Sequence, residues 1–208
     1  RDVAPSRGLG DVYKRQAILW NDGRTTKECD YLNNTIGKDK IAEYTANIAF
    51  AGFTAPKILW LRENEPENFK KIYKWLDIKE YLILRASGEF VMTQDSAFGT
   101  LLYDTRKGHE GWCKPVCDMV GVKMEHLAPI KKRTEKVGEV TESAAKELGL
   151  APGTAVYGGG GDASLIGVGA GATEVGDTHI YSGTSGWVGT VVEKQTVDTG
   201  AMLSLIHI

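Results

Sequence analysis

A run of four glycines followed by one carboxylate constrains this chain more than any other stretch. A β-prone segment, Ala155–Tyr157, ends in Gly158–Gly161, and Asp162 then opens a run of small and apolar residues. Glycine has no Cβ, so such a backbone can turn tightly and approach a ligand closely. The pattern predicts a strand, a bare turn and a helix, with Asp162 in the first turn, where free N–H groups favour a negative charge.

Two interpretations of this stretch are open. In the first, Asp162 is only a capping residue in a plain strand–turn–helix unit. In the second, its ionised carboxylate lies at the mouth of a glycine-lined hollow and takes the proton of a hydroxyl group beside a phosphate. The stretch alone does not decide between them.

A second feature lies further along the chain. The segments Asp177–Tyr181 and Trp187–Val192 predict two strands, joined by Ser182–Gly186. Small hydroxyl and glycine residues in a hairpin turn expose several N–H and O–H donors at one point, which suits phosphate oxygens. A hairpin of this composition that binds no ligand is the alternative.

Near the start of the chain, the apolar run Ala17–Trp20 predicts the end of a strand, with Asp22 and Arg24 just beyond it. Open α/β sheets place their ligand sites at the carboxyl ends of strands. An aromatic ring, a carboxylate and a guanidinium can hold a polyol by stacking and paired hydrogen bonds. The alternative is a surface Asp–Arg pair beside a core tryptophan.

Two further segments predict helices of the scaffold. In Gly52–Asn64, Pro56 suits the first turn of a helix, and Ile58, Leu59 and Leu61 form its inward face. Asp77–Glu89 predicts a helix that ends at a glycine, with a capping box and an apolar stripe. The capping box is Asp77 with Glu80, and the stripe is Ile78, Tyr81 and Leu82.

Asp95 lies in a polar segment after this helix. It could reach a cleft, but an Asx turn is the favoured role. The basic stretch Lys131–Arg133 predicts a solvated linker, because no aromatic residues interleave it.

Composition excludes several classes of function. The formal net charge is −2, with 25% charged residues, which gives no strong field for nucleic acid or an anionic membrane. No apolar run is long enough to cross a bilayer. The three cysteines complete no metal or redox pattern, which predicts reduced thiols, no protein metal ligands and a cytoplasmic location.

Three motifs together resemble the FGGY family of carbohydrate kinases, and within it the branch that phosphorylates D-xylulose. They are the helix signature Gly52–Asn64, the loop Gly159–Asp162 and the turn Gly183–Gly186. The alternating strands and helices agree with an α/β class. The resemblance implies a ribonuclease-H-like (actin-like ATPase) fold with two domains around a cleft. Residues 17–172 would then form part of the N-terminal domain, and residues 173–202 the start of the C-terminal domain.

The resemblance also implies roles for individual residues. Asp162 would be the catalytic base, and ATP with Mg²⁺ would be the cofactors. Nucleotide contacts would come from Gly160, Gly161, Gly183, Thr184 and Ser185. Contacts to a small-molecule sugar would come from Trp20, Asp22, Arg24, Asp162 and Ala163. Ala163 departs from the family, whose bacterial xylulose-phosphorylating members carry Asn there, so the exact sugar stays open.

The two ends of the chain look foreign. One short DNA sequence encodes Asp11–Gln16, and its reverse complement encodes Leu203–Ile208. We therefore expect residues 1–16 and 203–208 to be adaptor-like tails around a truncated fragment. The fragment alone is expected to be inactive, and its full-length parent could form a homodimer.

Alternative functions are weaker. A Rossmann enzyme needs G-x-G-x-x-G, but Ala163 or Ser164 occupies the third glycine position, and no Gly-Lys-Ser/Thr triplet supports a P-loop. A kinase for another ketose or polyol stays open, as does a non-catalytic sugar-binding protein of the same fold.

Overall fold

The computed structural model describes residues 18–183, 186–194 and 197–200, and the backbone of residues 203–204. The α-helices are α1 (Thr26–Asp30), α2 (Lys38–Thr45), α3 (Thr54–Asn64), α4 (Pro66–Phe69), α5 (Ile78–Ser87), α6 (Gln94–Phe98), α7 (Lys114–Val120), α8 (Glu142–Leu148) and α9 (Asp162–Gly169). The strands are β1 (Met92–Thr93), β2 (Tyr103–Asp104), β3 (Gly111–Trp112), β4 (Ile130–Lys131), β5 (Lys136–Glu139), β6 (Ala155–Tyr157), β7 (Thr178–Ser182), β8 (Gly186–Thr190), β9 (Val197–Asp198) and β10 (Leu203–Ser204). Turns of 3-10 helix lie at Gly23–Thr25 and Met124–His126, and a π-helical segment, Tyr31–Gly37, joins α1 to α2.

The largest apolar core forms where helices α1 to α3 and α7 meet. Ile58 and Leu59 of α3 are buried there, as the sequence predicts, whereas Leu61 is only half-buried. Cys117 lies in the same core, and burial raises the pKa of its thiol to about 12. Such a thiol stays protonated and unreactive, in agreement with a structural role.

The strands pair two by two. β1 runs parallel to β4, and antiparallel pairs join β2 to β3, β5 to β6, β7 to β8 and β9 to β10. β5 and β6 pair Glu139 with Ala155 and Lys136 with Tyr157, with a register shift between. The last residue of β6 therefore leads directly into the glycine run.

Helix α5 exists as predicted, but its predicted apolar stripe is wrong. Ile78, Tyr81 and Leu82 are exposed, while Glu80 and Ile83 are buried. The buried pair shares one face of the helix, because residues three apart lie one above the other. Asp77 holds the N-cap position without a side-chain capping bond, so the predicted capping box is also wrong.

Some predicted boundaries also change. Ile18 and Leu19 lie in no strand, and Asp22 N–H bonds to the Leu19 carbonyl in a turn. A strand needs a hydrogen-bonded partner, and none of the strands described here pairs with this segment. Helix α7 begins only at Lys114, because Trp112 before it pairs with Tyr103. No helix in the described ranges is both long and apolar enough to span a bilayer.

Candidate active site

The glycine loop, Gly158–Gly161, continues the β5–β6 pairing before it turns into α9. Gly158 N–H donates to the Glu135 carbonyl at 3.1 Å, and Gly159 N–H to the Arg133 carbonyl at 2.9 Å. The basic stretch 131–133 is therefore not the predicted solvated linker. Its first residue belongs to β4, and its backbone lies against the glycine loop.

Close packing explains part of the glycine pattern. A Cβ on Gly158 would come within 2.8 Å of the Lys132 carbonyl and 3.0 Å of Thr93 Cγ2. Gly159 has φ of +67°, in the left-handed region that side chains disfavour. These two glycines are required by the chain's own packing, whether or not a ligand approaches.

Asp162 begins α9, in the first turn, as predicted, and its side chain is exposed. Its Oδ1 accepts the Ala163 N–H at 2.9 Å. Within the part of the chain that the structure describes, no cation lies within ion-pair distance of this carboxylate. The carboxylate of Asp162 is therefore accessible from solvent, and the adjacent Ala163 adds no polar side-chain atom.

Asp95 reaches the glycine loop from α6. Its Oδ2 accepts the Gly161 N–H, and its Oδ1 lies 3.6 Å from Lys79 Nζ. Burial alone would raise the pKa of Asp95, but the Gly161 N–H, the Lys79 charge and Thr93 together hold it below its ordinary value. The favoured Asx-turn role is thus wrong, and the carboxylate contacts the loop that presents Asp162.

Lys79 and Glu80 of α5 complete the group beneath the loop. Lys79 Nζ donates to Thr93 Oγ1 and to the carbonyls of Gly158 at 3.3 Å and Gly159 at 3.4 Å. Glu80 Oε1 lies 3.1 Å from Lys79 Nζ and accepts the Thr93 hydroxyl at 2.6 Å and the Thr93 N–H at 3.2 Å. The sequence gives no signal for the role of Lys79, because nothing local to α5 indicates a contact with a loop so far along the chain.

Asp22 and Arg24 lie together and bind each other. Arg24 Nη2 donates to Asp22 Oδ2 at 2.8 Å, and Arg24 Nε lies 3.0 Å from both carboxylate oxygens. The side-chain bond from Arg24 lowers the pKa of Asp22, and the guanidinium lies 4.9 Å from the centre of the Trp60 ring. Trp20 is 59% exposed and so offers an open aromatic face. This geometry agrees with the alternative in which Asp22 and Arg24 form a surface ion pair. The sugar contacts expected of Trp20, Asp22 and Arg24 stay a prediction.

The predicted hairpin forms between β7 and β8. Ser182 pairs with Gly186 at its closed end, and the rings of Tyr181 and Trp187 stack at 4.0 Å. A Cβ on Gly183 would come within 2.8 Å of Tyr181 Cζ, so a side chain at this position would require the Tyr181 ring to shift. Thr184 and Ser185 lie outside the described residues.

A metal centre built from side chains is not found in the ranges that the structure covers, where no three His, Cys, Asp or Glu residues cluster suitably. This finding does not bear on the Mg²⁺ that the resemblance implies, because Mg²⁺ in kinases is held by the phosphates of the nucleotide with only one or two carboxylates.

A comparison with protein families gives one match. Residues 12–169 match the N-terminal domain of the FGGY family of carbohydrate kinases. The chain belongs to the FGGY family. It accordingly has the ribonuclease-H-like, actin-like fold of that family, as the sequence predicted.

Individual relatives support the assignment to the FGGY family. The xylulose kinase of Bacillus subtilis (strain 168) is 37% identical over 185 residues, which cover 88% of this chain and 36% of that protein. The xylulose kinase of Lactococcus lactis is 38% identical, covering 86% of this chain and 35% of that protein. The crystal structure of a xylulose kinase from Brucella ovis is similar with a TM-score of 0.78 and 30% identity, covering 86% of this chain and 36% of that one. The chain thus spans about a third of the length of these relatives.

Proposed function

We propose that this chain is part of an ATP-dependent sugar kinase whose substrate is D-xylulose and whose product is D-xylulose 5-phosphate. The observation that carries the proposal is the exposed carboxylate of Asp162, which follows the glycine loop and begins α9. The xylulose kinases among its relatives support the choice of sugar.

Asp162 acts as the general base. Its carboxylate takes the proton of the sugar hydroxyl while that oxygen forms a bond to the γ-phosphorus of ATP. The bond from that phosphorus to the β–γ bridging oxygen breaks, and ADP leaves. A positioned base contributes about 10²- to 10⁴-fold in rate, and positioning of the phosphates supplies much of the rest.

The glycines of the loop and of the hairpin hold the nucleotide in this proposal. Gly161 already donates its N–H to Asp95, so its contact with ATP is a close backbone approach and not a hydrogen bond from that amide. Gly160, Gly183, Thr184 and Ser185 complete the proposed contacts. Mg²⁺ would be held mainly by the ATP phosphates, with at most one or two carboxylates of the protein, and would offset charge on the transferred phosphoryl group.

The sugar contacts involve the first residues described. The open ring of Trp20 suits stacking on a polyol, and the Asp22–Arg24 pair would present a fixed array of polar groups beside it. Ala163 offers no amide next to Asp162, so the site has fewer hydrogen bonds for the sugar. A kinase for another ketose or polyol is the second candidate, and this missing amide is the observation that favours it.

The domain organisation is part of the same proposal. Residues 17–172 contribute to the N-terminal domain, residues 173–202 begin the C-terminal domain, and the complete enzyme could be a homodimer. Closure of two domains around ATP and sugar would exclude water from the transferred phosphoryl group. The chain of 208 residues on its own is therefore expected to lack kinase activity.

The test is a substrate panel. The complete gene product that contains this chain is assayed with ATP against ketoses and polyols, with ADP release and sugar phosphate measured together. We expect phosphorylation of D-xylulose, and no turnover by the 208-residue chain. Phosphorylation of a different ketose or polyol alone would support the second candidate. Sugar binding without ADP release would contradict both and support a non-catalytic binding protein.

A further inference from the structure

The glycine loop is held by ions on both sides of Gly160. On one side, the ammonium of Lys79 contacts the carbonyls of Gly158 and Gly159. On the other, the carboxylate of Asp95 accepts the N–H of Gly161, the residue directly before Asp162. An ammonium group interacts favourably with carbonyl oxygens, and a carboxylate interacts favourably with an N–H group. Hydrogen bonds to such charged groups are roughly twice as strong as those between neutral groups.

The two ions are themselves fixed. Glu80 is fully buried and forms two hydrogen bonds with Thr93, whose hydroxyl is also the acceptor for Lys79. Lys79 lies between Glu80 Oε1 at 3.1 Å and Asp95 Oδ1 at 3.6 Å. The cation therefore bridges two carboxylates that would otherwise repel each other at a mostly buried site.

Two side chains lie directly against the loop. A Cβ on Gly161 would lie 3.2 Å from Asp95 Oδ2, and a Cβ on Gly160 would lie 2.9 Å from Leu165 Cγ. Because Gly161 is the N-cap residue of α9, movement of the loop would be transmitted to the first residues of that helix. Lys79 and Asp95 form hydrogen bonds with the backbone of this loop. They therefore influence the direction of the side chain that follows the loop, that of Asp162.

We propose that Lys79 and Asp95 are positioning residues, which fix the backbone of Gly158–Gly161 and so aim the Asp162 carboxylate at the acceptor hydroxyl. This inference depends on the proposed kinase function for its catalytic consequence. Its geometric part, the ion-held loop, does not depend on it.

The first measurement uses the chain itself. In ¹H–¹⁵N NMR spectra, the Gly161 amide proton is expected at low field, because it is donated to a carboxylate. Asp95→Asn keeps the shape of the side chain and removes the charge, and it should move this resonance upfield. Asp118→Asn, on the exposed face of α7, is the matched control and should leave it in place. An unmoved Gly161 resonance in Asp95→Asn would overturn the inference.

The second measurement uses the complete kinase. Asp95→Ala and Lys79→Met are each expected to lower kcat by about 10- to 100-fold, with KM for ATP and sugar changed less than about twofold, because a displaced base slows chemistry more than binding. Asp95→Asn should recover part of the loss, since its amide oxygen still accepts the Gly161 N–H. Lys71→Met, at an exposed lysine, should leave kcat unchanged.

The outcomes separate the two proposals. Unchanged kcat in both Asp95→Ala and Lys79→Met, or a raised KM at constant kcat, would overturn the positioning role. Absence of sugar phosphorylation by the wild-type complete protein would overturn the proposed function instead, and the Gly161 resonance would then decide the positioning of the loop by itself. Should Asp95→Ala fail to fold, the isosteric Asp95→Asn variant supplies the kcat comparison.

Discussion

Leu82 and Ile83 are consecutive residues of α5 whose side chains lie in opposite environments. Leu82 is 62% exposed, whereas Ile83 is 6% exposed. Ile83 packs with Val91 and Val137, and Val156 of β6 lies against this cluster. Since β6 leads into the glycine loop, the cluster supports the strand that precedes this loop and Asp162.

Replacement of these two residues by alanine should have very different effects. Ile83→Ala leaves a cavity in a buried cluster and is expected to lower the free energy of unfolding by about 2–5 kcal/mol. Leu82→Ala, at a neighbouring exposed position, should change it by less than about 0.5 kcal/mol. Urea denaturation of both variants measures the difference. Equal losses would contradict the assignment of Ile83 to the buried face and Leu82 to the exposed face of α5.

Asp77 predicts a pH dependence of stability. Burial, together with the nearby charge of Glu80, raises the pKa of Asp77 to about 6, against the opposing effects of Lys57, Lys79 and Thr54. Between about pH 4 and pH 6, Asp77 is therefore protonated in the folded protein and ionised in the unfolded chain. The free energy of unfolding accordingly falls as the pH rises through that window.

The variant Asp77→Asn removes this effect. It should raise the free energy of unfolding by about 1–3 kcal/mol near pH 7 and leave it unchanged near pH 4. Thermal unfolding at the two pH values checks the sign, with Asp118→Asn at an exposed aspartate as control. The same gain at both pH values would mean that Asp77 is not a buried carboxylate with a raised pKa.

Elements whose causes are local can be read from the sequence. Thr141 caps α8 by accepting the Ala144 N–H at 3.3 Å, and Gly149 ends the helix in a left-handed conformation. The turn from β6 through the glycines into α9 was predicted for the same reason. Both depend on residues within a few positions of each other.

Signals that depend on distant partners could not be read from the sequence. The inner face of α5 is chosen by Thr93 and by the apolar cluster around Ile83, and the alternative stripe through Leu82 has equally good helical spacing. Asp95 and Gly161 are separated by 66 positions, and no local pattern links them. The resemblance to FGGY kinases indicated Asp162 but gave no indication of the ions that hold its loop.

Ala163 allows the choice of sugar to be tested. Ala163→Asn in the complete kinase adds an amide beside Asp162 at an exposed position of the first turn of α9. If D-xylulose is the substrate, the added hydrogen bonds should lower its KM by about 2- to 10-fold with kcat little changed, corresponding to a net gain of about 0.5–1.5 kcal/mol. Ala163→Leu, which adds bulk without an amide, is the control. A lower KM for another ketose or polyol, and not for D-xylulose, would favour the second candidate.

The most direct test of the account is Asp162→Asn in the complete protein that contains this chain. The amide keeps the size of the side chain but cannot accept the proton of the sugar hydroxyl at neutral pH, so kcat should fall by about 10²- to 10⁴-fold while calorimetry shows sugar binding unchanged. Asp118→Asn, remote from the glycine loop, should retain wild-type kcat. A kcat for Asp162→Asn close to that of the wild type would contradict the assignment of Asp162 as the base.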